Sequence, residues 1–200
     1  MLVIGDSVMR LAEHDLRRRI RHRLVFEAEV NRQVVRTTTS PDGSTPVPSA
    51  VEVARDVTAR QRVDLAIFHL GHNGQIVDDG FERLVAAVPD APLCFVTLNE
   101  PRHWERPNND VIVRGVARHE RAHLLDWKAI STGRPFFHED RLHVNEAGSA
   151  ALADLVARAC DQHLGPGPWW GRPDLWQDAR GLAGRYQRGI RRRIPGSRLR

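Results

Sequence analysis

The sequence predicts an α/β protein, a three-layer sandwich in which a five-stranded parallel sheet lies between two layers of helices. Three observations predict it. Short apolar runs recur along the chain, and they are continuous rather than alternating, as in strands buried on both faces. Amphipathic stretches of helical length separate them. Five strands in this alternation fit an open, doubly wound sheet of the flavodoxin-like kind.

The elements follow in order. The first strand, Leu2–Ile4, stops at Gly5-Asp6-Ser7, where glycine permits a tight turn into a helix over about 8–22. A second strand, Leu24–Val30, leads into "RTTTSPDGSTPVPS", 36–49, a polar stretch with Pro and Gly that reads as a loop. A helix over about 48–61 precedes the third strand, Asp64–Leu70, which ends in "LGHNG". After a helix over about 79–87 comes the strand Leu93–Leu98. The segment "NEPRHWERPNN", 99–109, reads as a loop overhanging the sheet. A helix over about 108–121, the strand His123–Trp127, the segment "HEDRLHVNEAG" and a helix over about 146–163 complete the body.

At Gly165 the character changes. Residues 166–200 are rich in Trp, Pro and Gly, with nine arginines against two acids, a net charge of +7. Residues 1–165 are close to neutral, at −2, so the basic character of the whole chain (+5) belongs to its end. The sequence therefore divides into a catalytic-type domain, 1–165, and a basic extension, 166–200. A cluster such as Arg191-Arg192-Arg193 could contact nucleic acid or an anionic membrane, but a solvated basic end is the favoured expectation. No run of about 18 apolar residues is present and no leader precedes the first strand, so a cytoplasmic protein is expected. Cys94 and Cys160 fall in apolar elements and read as buried thiols.

In an open parallel sheet, ligands sit outside the carboxyl ends of the strands. There the sequence collects Ser7, Asn31, His72-Asn73-Gly74, Asp140 and His143. A serine hydroxyl is a poor nucleophile until a base takes its proton, and His143 is a candidate base. Asp140, three residues earlier, can bond the other imidazole nitrogen and fix its tautomer. The Ser7 amide and the Asn73 side chain are candidate donors for a developing oxyanion.

"IGDSV", "LGHNG" and "DRLHVNEAG" together resemble the SGNH (GDSL-type) esterases and acyltransferases over roughly residues 1–163. The resemblance implies a Ser7–His143–Asp140 triad. It also implies an oxyanion hole from the Ser7 amide, a glycine amide at the position held here by Asn31, and Asn73. A narrower resemblance is to the SGNH domains of peptidoglycan O-acetyltransferases, through Asn73-Gly74, through Trp104 and Asn108 after the fourth strand, and through Asp126-Trp127. His72, Gly74, Trp104 and Asn108 are accordingly expected to line the substrate site. Asn31 in place of glycine departs from the family, as does the lack of a membrane acyl-transfer segment in these 200 residues.

A competing motif, "HERAH" at 119–123, matches the zinc-hydrolase pattern H-E-x-x-H. That pattern needs both imidazoles on one uninterrupted helix, whereas His123 runs into the strand-like "HLLDW". No metal and no organic cofactor are therefore expected. The expected activity is that of a serine esterase or O-acyltransferase on small acylated substrates, acetyl esters above all. A carbohydrate, a secondary metabolite or a peptidoglycan precursor could serve as acceptor. The alternative is an SGNH scaffold impaired by Asn31 and acting as a binding module, with the tail docking to a partner.

Overall fold

The computed structural model describes residues 1–77 and 79–165. The basic extension 166–200, with its expected partners, lies outside the described residues. Among the described residues seven strands and seven helices follow one another. They are β1 (Leu2–Gly5), α1 (Ser7–Leu11), α2 (Glu13–Arg19), β2 (Val25–Ala28), β3 (Thr38–Thr39), β4 (Pro46–Val47) and α3 (Ala50–Arg60). Then come β5 (Ala66–His69), α4 (Gly80–Ala87), β6 (Leu93–Val96), α5 (Glu105–Arg118), β7 (Ala122–Leu125), α6 (Trp127–Ser131) and α7 (Glu146–Leu164). Five strands form one sheet, in the order β2-β1-β5-β6-β7, and every pairing in it is parallel. This is the doubly wound architecture expected. The chain steps outward from β1 to β2 and then back across to β5, so the topological switch falls between β1 and β5.

Alternate side chains of each strand feed two cores. Val3, Ile67, Cys94 and Val96 pack with Met9, Leu16, Trp127, Leu152 and Val156 on the face covered by α1, α2, α6 and α7. Leu2, Ile4, Phe68 and Phe95 pack with Val51, Ala54, Phe81, Leu84 and Ile112 on the face covered by α3, α4 and α5. There Phe81 stacks on Phe95 at 4.2 Å between centroids, and Phe68 at 5.1 Å. Each such ring, fully buried, contributes about 1.5–3 kcal/mol of transfer free energy. Both cysteines are free and buried, and burial pushes each thiol up to about 12.

Four elements differ from the sequence expectation. The first helix is two: Ala12, at φ −84° and ψ 0°, ends α1 and starts α2. The 36–49 loop contains a small antiparallel hairpin, β3–β4. Helix α5 begins at Glu105, inside the expected loop. Pro107 falls in its first turn, where the missing N–H removes no intrahelical bond. Strand β7 ends at Leu125, and Trp127 opens α6, capped by the Asp126 carboxylate accepting from Ala129 N–H at 3.1 Å. Its indole is buried between Phe136 and Phe137.

Candidate active site

The switch point is built by two turns, one after β1 and one after β5. Gly5 is required at the first: a β-carbon there would lie 2.3 Å from Met9 Cβ, because α1 folds back over the strand end. Asp6 caps α1 by accepting from Val8 N–H at 3.1 Å, and Ser7 becomes the first helical residue. An amide in that position has no intrahelical acceptor and stays free to donate. At the second turn Gly71 adopts φ +119°, and a β-carbon would meet Leu98 at 2.9 Å and Asn108 at 3.0 Å.

The segment after α6 delivers the base. A bridge between Phe137 and Val144 closes the 138–143 turn, and His138 N–H donates to the His143 carbonyl at 2.9 Å. Inside it, Asp140 Oδ1 accepts from Leu142 N–H and His143 N–H, both at 3.0 Å. Arg141 takes the left-handed conformation that this tight turn demands, at φ +54°. Asn145 then caps α7, accepting from Gly148 N–H.

The geometry that results brings three distant residues together. His143 Nε2 lies 3.0 Å from Ser7 Oγ, and His143 Nδ1 lies 2.6 Å from Asp140 Oδ2. With Nδ1–H donating to the carboxylate, Nε2 presents its lone pair to the serine hydroxyl. Burial, the largest single influence, works against ionising Asp140. The hydrogen bonds from Leu142 N–H and from the His143 ring and N–H outweigh it, and the carboxyl falls to about 2.

Asn31 and Asn73 stand on the two loops that flank Ser7. Asn31 follows β2 with φ +64°, the left-handed conformation that glycine and asparagine accept most readily. Its side chain donates to the Thr39 carbonyl at 3.1 Å. Asn73 uses one amide hydrogen on the Arg32 carbonyl, at 3.3 Å, which leaves the other for a ligand. Arg32, buried, fixes that loop by donating to the Pro48 carbonyl.

Two of the residues expected to line the substrate site are buried and hydrogen-bonded within the protein. His72 is 1% exposed and its Nδ1 lies 2.9 and 3.0 Å from the Asp6 carboxylate oxygens. Asn108 is 1% exposed, donates to the Gly71 and Gly74 carbonyls and accepts from Ile76 N–H. Both are consumed in holding the β5 turn. Gly74, at φ +138°, is part of that turn and presents its carbonyl to Asn108. Trp104 is partly exposed at the start of α5, with the Arg102 guanidinium 5.4 Å from its ring centroid. Arg102 in turn donates to the His72 carbonyl.

Sequence reasoning gave no role to Asp6, Glu100 or Arg102, although Asp6 lies inside the motif and Glu100 and Arg102 inside the loop that were singled out. The His119-x-x-x-His123 pattern is split: His119 caps the end of α5 and meets Glu82 at 2.7 Å, while His123 lies in β7 against His163. Among the described residues no group of three or more His, Cys, Asp or Glu side chains is arranged to hold a metal ion. A cavity of about 550 Å³ opens at the opposite, amino edge of the sheet, beside Met1, Arg23, Asp64 and Pro92, and contains none of the motif residues.

No protein-family model matches the chain. It is 29% identical over 164 residues to the O-acetyltransferase OatA of Staphylococcus aureus, a match that covers 81% of this chain and 25% of that protein. The chain thus spans about a quarter of the length of that relative. Among solved structures it superposes on the C-terminal catalytic domain of the Streptococcus pneumoniae peptidoglycan O-acetyltransferase A. There the TM-score is 0.66 and the identity 16%, with 82% of this chain and 93% of that one covered. A carbohydrate acetylesterase family member from Sinorhizobium meliloti gives a TM-score of 0.61 at 16% identity, covering 82% and 99%. By fold the chain is similar to these solved structures. By sequence it is a homologue of the O-acetyltransferases represented by OatA.

Proposed function

We propose that the chain is a serine esterase or O-acyltransferase that works on small O-acyl esters, acetyl esters in particular, with residues 1–165 as its catalytic unit. The observation that carries this reading is the line of contacts from Ser7 Oγ to His143 Nε2 at 3.0 Å and from His143 Nδ1 to Asp140 at 2.6 Å. The kinship to an O-acetyltransferase supports the acetyl group as the one transferred.

His143 Nε2 accepts the Ser7 proton as Oγ attacks the acyl carbonyl carbon. The carbonyl electrons move to oxygen, and the oxyanion accepts hydrogen bonds from the Ser7 N–H, the free Asn73 amide hydrogen and the Asn31 N–H. Each well-aimed donor is worth about 3–4 kcal/mol of transition-state stabilisation. Asp140 holds the imidazole in its working tautomer and stabilises the imidazolium. Collapse expels the alcohol, which takes the proton from Nε2 and leaves an acyl-Ser7 ester. Water, or an acceptor hydroxyl deprotonated by His143, then releases the acyl group. A carbohydrate acceptor, peptidoglycan included, fits the relatives' substrates.

Asn31 supports catalysis over a purely binding role. In the left-handed conformation its backbone follows a path open to glycine, so the substitution need not displace the amide. Among the described residues no helix is long and apolar enough to cross a membrane. The cytoplasmic placement expected from sequence gains no support from the relatives and forms no part of the proposal.

The test is turnover of an aryl acetate and labelling by a fluorophosphonate, in wild type and Ser7→Ala. Both are expected in wild type, lost in Ser7→Ala and insensitive to a zinc chelator. A wild type inert to both reagents would leave a binding scaffold.

A further inference from the structure

Behind the serine lies a second aspartate–histidine pair that the mechanism above does not use. The Asp6 carboxylate is fully buried and binds two segments at once. It accepts from Val8 N–H, next to Ser7, and from both the N–H (3.2 Å) and the Nδ1–H of His72, next to Asn73. One carboxylate therefore sets the separation of the two turns that carry the Ser7 amide and the Asn73 side chain.

Every titratable group facing this pair is buried or partly so; Arg32, from the loop after β2, is buried and couples to the Asp6 charge. His69, from β5, stands edge-on to His72 at 4.8 Å between centroids. Burial, then the His72 charge, push it down to about 3 against the Asp6 charge and the Thr97 backbone, so it is neutral. Glu100, from the loop after β6, is buried with neither oxygen hydrogen-bonded. Arg102 Nε lies 3.8 Å from it, too far for a hydrogen bond, and Glu105 of α5 is paired with Lys128. Burial pushes Glu100 up to about 7 against the pull of His72 and Arg102.

We propose that Asp6 and His72 form the positioning pair of the oxyanion hole, effective in its doubly charged form, and that Glu100 keeps the proton on His72. The inference rests on the serine-enzyme reading. Loss of the His72 proton leaves Nδ1–H on the ionised Asp6 carboxylate but removes the attraction between the two opposite charges, which is strong where water is excluded, and so loosens the clamp between the two turns. Burial and, last, the Arg102 charge oppose that proton, while the Asp6 charge and hydrogen bond and then the Glu100 charge favour it, and the balance lies above the ordinary histidine value. Glu100 is thus a second anion for a buried cation. It touches no reacting atom and acts through His72.

The experiment compares wild type, His72→Gln and Glu100→Gln on an aryl acetate across pH, and follows the His72 imidazole by NMR in wild type and Glu100→Gln. His72→Gln is expected to lower kcat roughly 10- to 100-fold, with KM changed far less. Glu100→Gln is expected to bring the alkaline loss of kcat to lower pH, leaving the acid limb where it was. The His72 resonance is expected to titrate at lower pH in the same variant, which a merely structural role for Glu100 would not produce. His72→Gln with wild-type kcat, or a Glu100→Gln profile and His72 titration that superimpose on wild type, would overturn the proposal. A wild type without Ser7-dependent turnover would instead overturn the serine-enzyme reading on which it rests.

Discussion

Two aspartate–histidine pairs stand at the same edge of this sheet, at nearly the same contact distance and in opposite surroundings. Asp140–His143 lies at the surface, its side chains 47% and 35% exposed, and its free imidazole nitrogen faces Ser7. Asp6–His72 is sealed, at 0% and 1%, and its carboxylate is spent on the protein's own N–H groups. In the proposed mechanism the same chemistry serves as a proton acceptor where a hydroxyl and solvent reach it, and as a clamp where neither does. Environment divides the roles, as it does for paired carboxylates whose pKa values are pushed apart.

Asparagine at each aspartate breaks the comparison most sharply. In Asp140→Asn, loss of the correct tautomer is expected to lower kcat about 10⁴-fold. The melting behaviour should change by less than about 1 kcal/mol, because the pair is half-exposed. Steady-state kinetics and denaturant unfolding read the two quantities. Asp6→Asn should do the reverse in stability, costing about 3–5 kcal/mol by leaving a buried partner uncompensated. A variant at Asp6 that unfolds like wild type would remove the distinction between the pairs.

Asn73→Ala comes next. It removes one proposed oxyanion donor and is expected to cost roughly 10²-fold or more in kcat, with substrate KM little changed. The smallest effect is expected from Glu100→Gln on stability. The Glu100 carboxyl lies at about 7 in the folded chain against an ordinary 4.5. A carboxyl raised in this way favours the folded state fully only below its unfolded value, and that advantage is lost as pH rises through 7. The stability of Glu100→Gln relative to wild type should therefore grow by about 1–3 kcal/mol between pH 4.5 and pH 8, measured by urea unfolding at each pH. A difference independent of pH would contradict a buried, ionising Glu100.

What the sequence made legible was what it encodes locally. Continuous apolar runs give the strands. The Asp140–His143 spacing lies within a single turn of chain, and Gly5-Asp6-Ser7 lies at a strand end. What it hid depends on contacts between distant segments. Ala12 breaks the first helix with no Gly or Pro to announce it. The Asp6–His72 bond joins residues 66 apart. His72 and Asn108 read as pocket residues because they lie in or beside the motifs that carry the family resemblance. Here their partners are backbone groups of the β5 turn and the Asp6 carboxylate. Pro107 read as a loop residue, and only the position of the helix start makes it compatible with α5.

The central claim is that Ser7 is the nucleophile, activated by the exposed pair and not the buried one. Peptide-resolved mass spectrometry of the fluorophosphonate-treated chain tests it most directly, with wild type, His143→Ala and His72→Gln side by side. The account predicts an adduct on Ser7 in wild type, almost none in His143→Ala, and slowed but complete labelling of the same residue in His72→Gln. An adduct on another residue, or undiminished Ser7 labelling in His143→Ala, would contradict it.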